Sequence, residues 1–355
     1  MDSSKFHSGA PIPAAAFRSM LLAWYDAHAR DLPWRKDRDP YRVWVSEIML
    51  QQTRVAAVIE HYRKFLRRFP TVQKLAAARE HSVLASWSGL GYYRRARMLH
   101  AAAKVIANER GGNFCETASA LRDLPGVGRY TAAAIASIAF GEAVAVVDGN
   151  VARVLERLCG RSLSNEEPWQ TAEDLLDRER PGDFNQAMME LGATICTPRM
   201  PVCLTCPVVE LCATRGGRAS AAKSKRQRKR EIHYALDCRR GSVFLVRRGD
   251  HLRLMPGMWE LPEIEPGVAQ LKRKGISRLA RNNDSGARNG KNPLFTVRHS
   301  ITVTDYTVRV WQMPAPAAVE GTWVALEKAQ TLALTGLARK ILQRASNIRD
   351  NVSII

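Results

Sequence analysis

Glu47 lies in the run Val45-Ser46-Glu47-Ile48-Met49-Leu50-Gln51-Gln52-Thr53, an otherwise apolar helical stretch, and Gln51, four residues on, is expected on the same face. A carboxyl in apolar surroundings has a raised pKa and can stay protonated as a general acid. Taken alone, Glu47 reads first as a surface glutamate of an amphipathic helix. Asp148 sits in Val146-Val147-Asp148-Gly149-Asn150-Val151, where a helix begins. It is either a plain N-cap, worth ~1 kcal/mol, or a carboxylate kept ionised in a cleft by the helix's first amides. Paired, the two give one carboxyl held neutral and one held charged. That is the division of labour expected where a glycosidic bond is broken.

A second set of residues could hold a metal. Cys196, Cys203, Cys206 and Cys212 are spaced C-x6-C-x2-C-x5-C. Four thiolates this close suit an iron–sulfur cluster, zinc, or a purely structural set of thiols, because ligand type alone does not fix the metal. The third signature is Leu124-Pro-Gly-Val-Gly-Arg-Tyr-Thr before an Ala-rich run. It predicts a helix–hairpin–helix turn in which Gly126 and Gly128 allow tight backbone geometry and the next helix offers its first amides to a DNA phosphate. An ordinary turn between two helices is the bland alternative.

The elements that must position these residues are mostly helical over 14 to about 212. Apolar residues recur at helical spacing in Phe17, Leu21, Trp24 and in Val43, Trp44, Ile48, and turn residues punctuate at Asp39-Pro40, Gly89-Leu90-Gly91 and Pro181-Gly182. From Arg215 to Arg230 there are eight Lys/Arg and no acid, the composition of a solvated linker. Strands follow: Ser242–Arg248 is a short β-type run, and Phe295, Val297, His299, Ile301 and Val303, then Tyr306, Val308 and Val310, alternate with period two. Residues 265–292 read as an excursion and 331–346 as a closing amphipathic helix. The 355 residues, 46 % of them hydrophobic, allow two or three domains. The formal charge of +20 implies a polyanionic partner, with nucleic acid the usual one. Seven cysteines, four of them clustered, fit a reducing compartment. No apolar stretch reaches membrane-span length, and the N-terminus has no export-signal pattern.

The combination of hairpin, D-G-N-V-x-R-V stretch and trailing four-Cys loop resembles the endonuclease III superfamily of base-excision glycosylases. Within it, Arg30-Asp-Leu-Pro-Trp-Arg35, Trp44–Thr53, Gly89-Leu-Gly-Tyr-Tyr93 and Asn185–Ala193 resemble the A/G-specific adenine DNA glycosylases, the MutY family. The similarity runs from about residue 20 to 212 and weakens beyond.

The resemblance implies a mainly α N-terminal helix–hairpin–helix glycosylase region (14–212) with one 4Fe–4S cluster held by Cys196, Cys203, Cys206 and Cys212. A basic linker (213–232) and an α+β, Nudix-like 8-oxoguanine recognition domain (233–348) would follow. It implies a DNA-repair hydrolase that flips adenine, mispaired with 8-oxoguanine or guanine in double-stranded DNA, and cleaves its N-glycosidic bond. Glu47 would protonate the purine, Asp148 stabilise the sugar cation, and Tyr130 and Asn150 support Asp148 and water. In the bifunctional lyases of the superfamily a lysine follows the hairpin's second glycine by two residues. Here that place is Tyr130, so hydrolysis without efficient strand cleavage is expected. Gln51 and Tyr92 would fill the stack, Arg30 and Trp34 line the pocket, and Arg199 face phosphate. Pro256-Gly-Met-Trp-Glu-Leu-Pro262 resembles the Nudix-like domain, with no pyrophosphatase box after it. Where relatives often carry Phe-Ser-His, this chain reads Ile301-Thr302-Val303, leaving Thr302 or Ser300 to supply the hydroxyl. A monomer acting in the cytoplasm, nucleoid-associated if bacterial and without membrane contact, is the corresponding expectation.

Overall fold

The computed structural model describes residues 12–215, 228–252, 254–265, 292–301, 304–329 and 331–352. The excursion at 265–292, most of the basic stretch and Thr302 therefore fall wholly or largely outside the described residues. Its contacts divide the chain into two compact units, residues 1–78 with 95–222, and 79–94 with 223–355.

Helices build the first unit: α1 (Ala14–His28), α2 (Pro40–Leu50), α3 (Val55–Arg68), α4 (Val72–Ala76), and, after α5 (Glu80–Trp87) of the second unit, α6 (Arg94–Glu109). The run continues with α7 (Ala118–Leu121), α8 (Arg129–Phe140), α9 (Gly149–Cys159), α10 (Glu167–Leu175) and α11 (Pro181–Thr194). One core is built from Phe17 and Leu21 of α1, Val151, Val154, Leu155 and Leu158 of α9, and Phe184, Met188 and Leu191 of α11. Phe17 meets Phe184 edge to face at 6.2 Å. Cys196, Cys206 and Cys212 pack against this core, so the loop after α11 is anchored to the same layer as α9. The expected helical region is thus present.

Local chemistry explains the key helix ends. Helix α2 starts at Pro40, preorganised for a first turn, and the Asp39 side chain accepts from Arg42 N at 2.9 Å. Almost every residue from Tyr41 to Met49 is buried, so α2 is a core helix rather than an amphipathic surface one. Asp148 caps α9, and Gly160, at φ 69°, ends it in the left-handed conformation that glycine takes without strain.

The second unit carries β1 (Arg228–Leu236), β2 (Cys238–Arg239), β3 (Ser242–Arg247), β4 (Trp259–Glu260), β5 (Glu263–Ile264), β6 (Phe295–Ile301), β7 (Thr304–Gln312) and β8 (Thr322–Ala325). Helices α12 (Leu326–Ala329) and α13 (Gly336–Val352) close the chain. One sheet runs β5-β1-β7-β6, with β1 and β7 parallel from Arg228↔Thr304 to Leu236↔Gln312 and the other pairs antiparallel. The other places β3 between β2, β4 and β8. The period-two pattern holds at the described positions, where Phe295, Val297, Tyr306, Val308 and Val310 turn inward onto Leu337 and Ile341 of α13, while Val303 lies outside the described residues. That helix begins at Gly336, later than the apolar period suggested, because just before it Thr335 N donates to Trp259 O and Trp259 N donates to Ala333 O. The region combines sheets with helices, where an α+β domain was expected.

Candidate active site

Glu47 is only 5 % exposed, on the buried helix α2. Its Oε2 accepts a 2.7 Å hydrogen bond from Tyr130 Oη of α8. Burial pushes the Glu47 carboxyl up to about 7. The Tyr130 hydrogen bond and Arg35 pull the other way, while the negative charge of Asp148 adds to the rise. The Tyr130 hydroxyl in turn is raised well above its usual range, first by burial and then by Glu47 and Asp148. It stays a neutral donor near pH 7, and its oxygen also contacts Met189 Sδ at 3.3 Å. A carboxyl near half-protonation at neutral pH, held by a neutral donor, is equipped for general acid chemistry.

Asp148 is held from one side by the start of α9. Its Oδ1 accepts from Asn150 N (2.8 Å) and Val151 N (2.7 Å), and its Oδ2 from Asn150 Nδ2 (3.0 Å). The helix start adds positive potential around this carboxylate. Asn150 is fixed from behind, its Oδ1 accepting from Arg153 Nη2 at 2.8 Å. Arg153 also donates to the Gly192 carbonyl (2.7 Å) and the Cys196 carbonyl (2.9 Å). A continuous set of hydrogen bonds therefore links Asp148 to the cysteine loop.

Asn150, Tyr130, Glu47 and Asp148 all belong to the first unit, and the negative charge of Asp148 acts on both Glu47 and Tyr130. Gln51 does not continue the face of Glu47. The helix ends at Leu50, and Gln51 turns out at φ −56°, ψ 116°, where its Nε2 donates to Thr131 Oγ1 at 3.1 Å. The physical reason is Arg95, whose Nη1 takes up the carbonyls of Ile48, Met49 and Gln51 and ends the helix there. Arg30 is joined to Glu190 through Nε (2.5 Å) and Nη2 (2.8 Å), and Arg35 Nη2 reaches the same carboxylate at 2.8 Å. Burial alone would push Glu190 up, but the two guanidiniums outweigh it and hold the carboxyl below its usual value. Trp34 is buried and meets Tyr62 edge to face at 5.5 Å.

The hairpin has the geometry its glycines permit. Gly126 lies at φ 76°, and a Cβ there would stand 2.4 Å from Met98 Cβ, so no other residue fits. Gly128 precedes α8 in an extended conformation with no side-chain cap, leaving the first amides of the helix to an outside acceptor. Tyr92 belongs to the second unit, at φ 48° and 45 % exposed. Thr302 lies outside the described residues. Ser300 is described, and its hydroxyl donates to Asp305 Oδ1 at 2.5 Å.

Among the described residues, no group of three or more His, Cys, Asp or Glu side chains is gathered as a metal centre would be. The four thiols nevertheless face a common environment. Burial raises Cys206 to about 11, and Cys196, Cys212 and Cys203 add to it. Cys203 is raised by burial and then by Cys212 and Cys196. Beside them lies buried Arg157, whose Nη1 donates to Cys196 Sγ (3.2 Å) and the Thr197 carbonyl (2.8 Å), while its Nε is buried without an acceptor among the described residues. An enclosed cation with an unused donor, bonded to the Cys196 sulfur, suits a site that carries negative charge when filled.

The sequence carried Arg153 only as part of the D-G-N-V-x-R-V stretch and gave it no role. Arg157 was not singled out, although its spacing of four places it on the same face of α9 as Arg153. Asn185 had no such signal. It is buried and holds the segment leading to Asp148, accepting from Val146 N (3.0 Å) and donating to Val144 O (2.9 Å) and Ser137 Oγ (2.9 Å).

Comparison with known proteins meets this geometry. Residues 45–179, the span holding Glu47, the hairpin and Asp148, match the family described as HhH-GPD superfamily base excision DNA repair protein. A solved thermostable thymine-DNA glycosylase superposes with a TM-score of 0.54 at 33 % identity, over 58 % of this chain and 97 % of its own. The chain belongs to the HhH-GPD superfamily. An endonuclease III trapped on DNA, at 23 % identity and a TM-score of 0.51 over 58 % of this chain and 99 % of its own, shares the fold. Among curated relatives, the adenine DNA glycosylase of Homo sapiens is 53 % identical over 215 residues, 56 % of this chain and 39 % of that protein. That of Arabidopsis thaliana is 39 % identical over 297 residues, 70 % of this chain and 47 % of that protein. The chain thus spans less than half the length of either relative.

Proposed function

We propose that this protein is a monofunctional adenine DNA glycosylase of base-excision repair, acting on adenine opposite 8-oxoguanine or guanine. The observation that carries the reading is the carboxyl pair: Glu47, enclosed and raised to about 7, beside an Asp148 girdled by hydrogen-bond donors. The identity with adenine DNA glycosylases of 53 % and 39 % supports adenine as the base.

With the base flipped into the site, the Glu47 carboxyl gives its proton to the purine ring. The C1′–N bond then breaks with its electron pair going to adenine. The sugar is left cationic, and Asp148 offsets that charge while Asn150 fixes the carboxylate. Water adds its oxygen to C1′ and releases a proton, and Tyr130 keeps Glu47 oriented throughout. Tyr130 offers no amine, so no Schiff base forms and the strand stays intact. Gln51 and Tyr92 act as stack-filling side chains, Arg30 and Trp34 border the base pocket, and Gly126 and Gly128 shape the phosphate-binding turn.

Cys196, Cys203, Cys206 and Cys212 hold one 4Fe–4S cluster on this reading, with Arg157 beside them. When bound, the cluster supplies a structural cross-link for the loop and takes no part in glycosidic cleavage. Arg199, exposed in that loop, faces phosphate. The strand-rich unit is a Nudix-like domain that examines the opposite base, with Thr302 as the hydroxyl donor, since Ser300 is engaged by Asp305. No described helix is long and apolar enough to cross a membrane. We place the protein in the cytoplasm as a monomer.

The test is single-turnover base release from duplexes carrying adenine opposite 8-oxoguanine, adenine opposite guanine, thymine opposite guanine, and thymine glycol, with and without alkali. Alkali-dependent cleavage at the adenine, abolished in Glu47→Gln, is the expected result. Release of thymine instead, or nicking without alkali, would overturn it.

A further inference from the structure

The second unit includes residues 79–94, a segment whose neighbours in the chain, α4 and most of α6, belong to the first. Within that segment one hydroxyl is the meeting point of three other groups. Ser88 Oγ donates to the Leu334 carbonyl (3.0 Å) and accepts from Arg339 Nε (2.7 Å) and Tyr93 Oη (3.3 Å). Tyr93 Oη also reaches the Leu334 carbonyl at 3.1 Å. Ser88 is 6 % and Tyr93 4 % exposed, so these bonds are shielded from water. The partners are distant in sequence: Leu334 ends a turn tied to β4, where Ala333 O accepts from Trp259 N, and Arg339 lies on α13.

Between the two anchors the chain makes a tight loop. Gly89 and Gly91 are at φ 110° and 71°, and the Gly91 carbonyl is held by Trp87 Nε1 at 3.2 Å. Leu90 turns inward. Tyr92 is left as the loop's exposed large side chain, and its φ of 48° is a conformation that only a well-determined surround maintains in a non-glycine residue. The residues on either side of the ring are thus pinned to the strand-rich unit while Tyr92 itself is 45 % exposed.

We infer that Ser88, Tyr93 and Arg339 are positioning residues for Tyr92, so that α13 and the Leu334 turn set the pose of the side chain that enters the DNA stack. The inference rests on the proposed reading of Tyr92 as that side chain. Arg339 does not touch DNA in this role; it acts through the Ser88 hydroxyl and the loop. Holding a wedge in its productive pose before binding removes an ordering cost from base extrusion.

The experiment is a double-mutant cycle in the full chain, comparing Arg339→Met, Tyr92→Ala and the pair. It is read by single-turnover base release from adenine opposite 8-oxoguanine and by the fluorescence of 2-aminopurine at the adenine position. Amide exchange of the free protein is followed in parallel. Arg339→Met is expected to cut base release and the fluorescence rise roughly tenfold and to speed exchange at Leu90–Tyr93. In the Tyr92→Ala background it adds no more than about twofold. Arg339→Lys, which can still donate to Ser88, restores most of the loss. Ser88→Ala, a smaller perturbation should Arg339→Met unfold the unit, gives the same non-additive pattern at lower amplitude. Losses that multiply in the double variant, or unchanged exchange at Leu90–Tyr93, overturn the inference while leaving wild-type glycosylase activity in place. A wild-type protein that releases no base from any duplex instead removes the reading of the site itself.

Discussion

At the scale of single residues, Glu47 is the group whose charge state matters most, and its environment gives a signed prediction. Its carboxyl is raised from 4.5 to about 7, with burial the largest cause. The acid form is the active one, so single-turnover base release should hold below pH 7 and fall about tenfold per pH unit above it. A rate flat from pH 6 to 9 would remove Glu47 as the acid. The same raised value bears on stability. Between 4.5 and about 7 the folded chain binds more protons at this position than the unfolded chain, so stability from this group is present below 4.5 and lost as pH rises to 7. Glu47→Gln should therefore gain up to ~3 kcal/mol at pH 8, an upper figure from the shift itself, and gain nothing near pH 4. Thermal unfolding of both proteins at the two pH values checks the sign. The neutral form of Glu47 was legible only through its pairing with Asp148, since taken alone it read first as a surface glutamate. Tyr130 was legible only as an absent lysine, since a hydroxyl 83 positions away leaves no local trace of the bond it makes.

At the scale of elements, the site is a matter of where α2 stops and α9 starts. The start of α9 could be read from Asp148 followed by Gly149-Asn150. The end of α2 could not, because Arg95 ends it from another helix. The packing of α11 against α9 was likewise hidden, and it sets the tolerance at Asp148. A Cβ on Gly192 would come within 2.7 Å of Asn150 Cβ and 3.0 Å of its carbonyl oxygen. Gly192→Ala must push back the first turn of α9, the turn whose amides hold Asp148. The expected outcome is roughly 1–3 kcal/mol of destabilisation and a loss of base release of at least about tenfold, with duplex binding little changed. Arg153→Met reaches the same turn chemically, by removing the donor behind Asn150, and should lower the rate of base release more than affinity for DNA. Equal losses in binding and in rate for both variants would place the defect in DNA docking rather than in Asp148.

At the scale of the whole molecule, what sequence pattern conveyed well was local: helical period to about residue 212, strand alternation after it, and cysteine spacing between. What it could not convey was that residues 79–94 fold with the strand-rich unit. Ser88 and Leu334 are 246 positions apart, and no local period or turn signal joins them. Stability follows cooperative units in space rather than order along the chain, so this division makes a test of its own. Ile341 of α13 is fully buried in the core of the second unit. Ile341→Ala should destabilise that unit by roughly 2–5 kcal/mol. Native-state amide exchange should then accelerate in β1, β3, β7 and α13 and, together with them, in α5. Helices α8, α9 and α11 should keep their protection, because their buried side chains belong to the first unit. Exchange in α5 that tracks α4 and α6, its neighbours in the chain, would mean that residues 79–94 open with the helical unit, and that the hydrogen bonds of Ser88 and Tyr93 to the Leu334 turn contribute little to holding the loop.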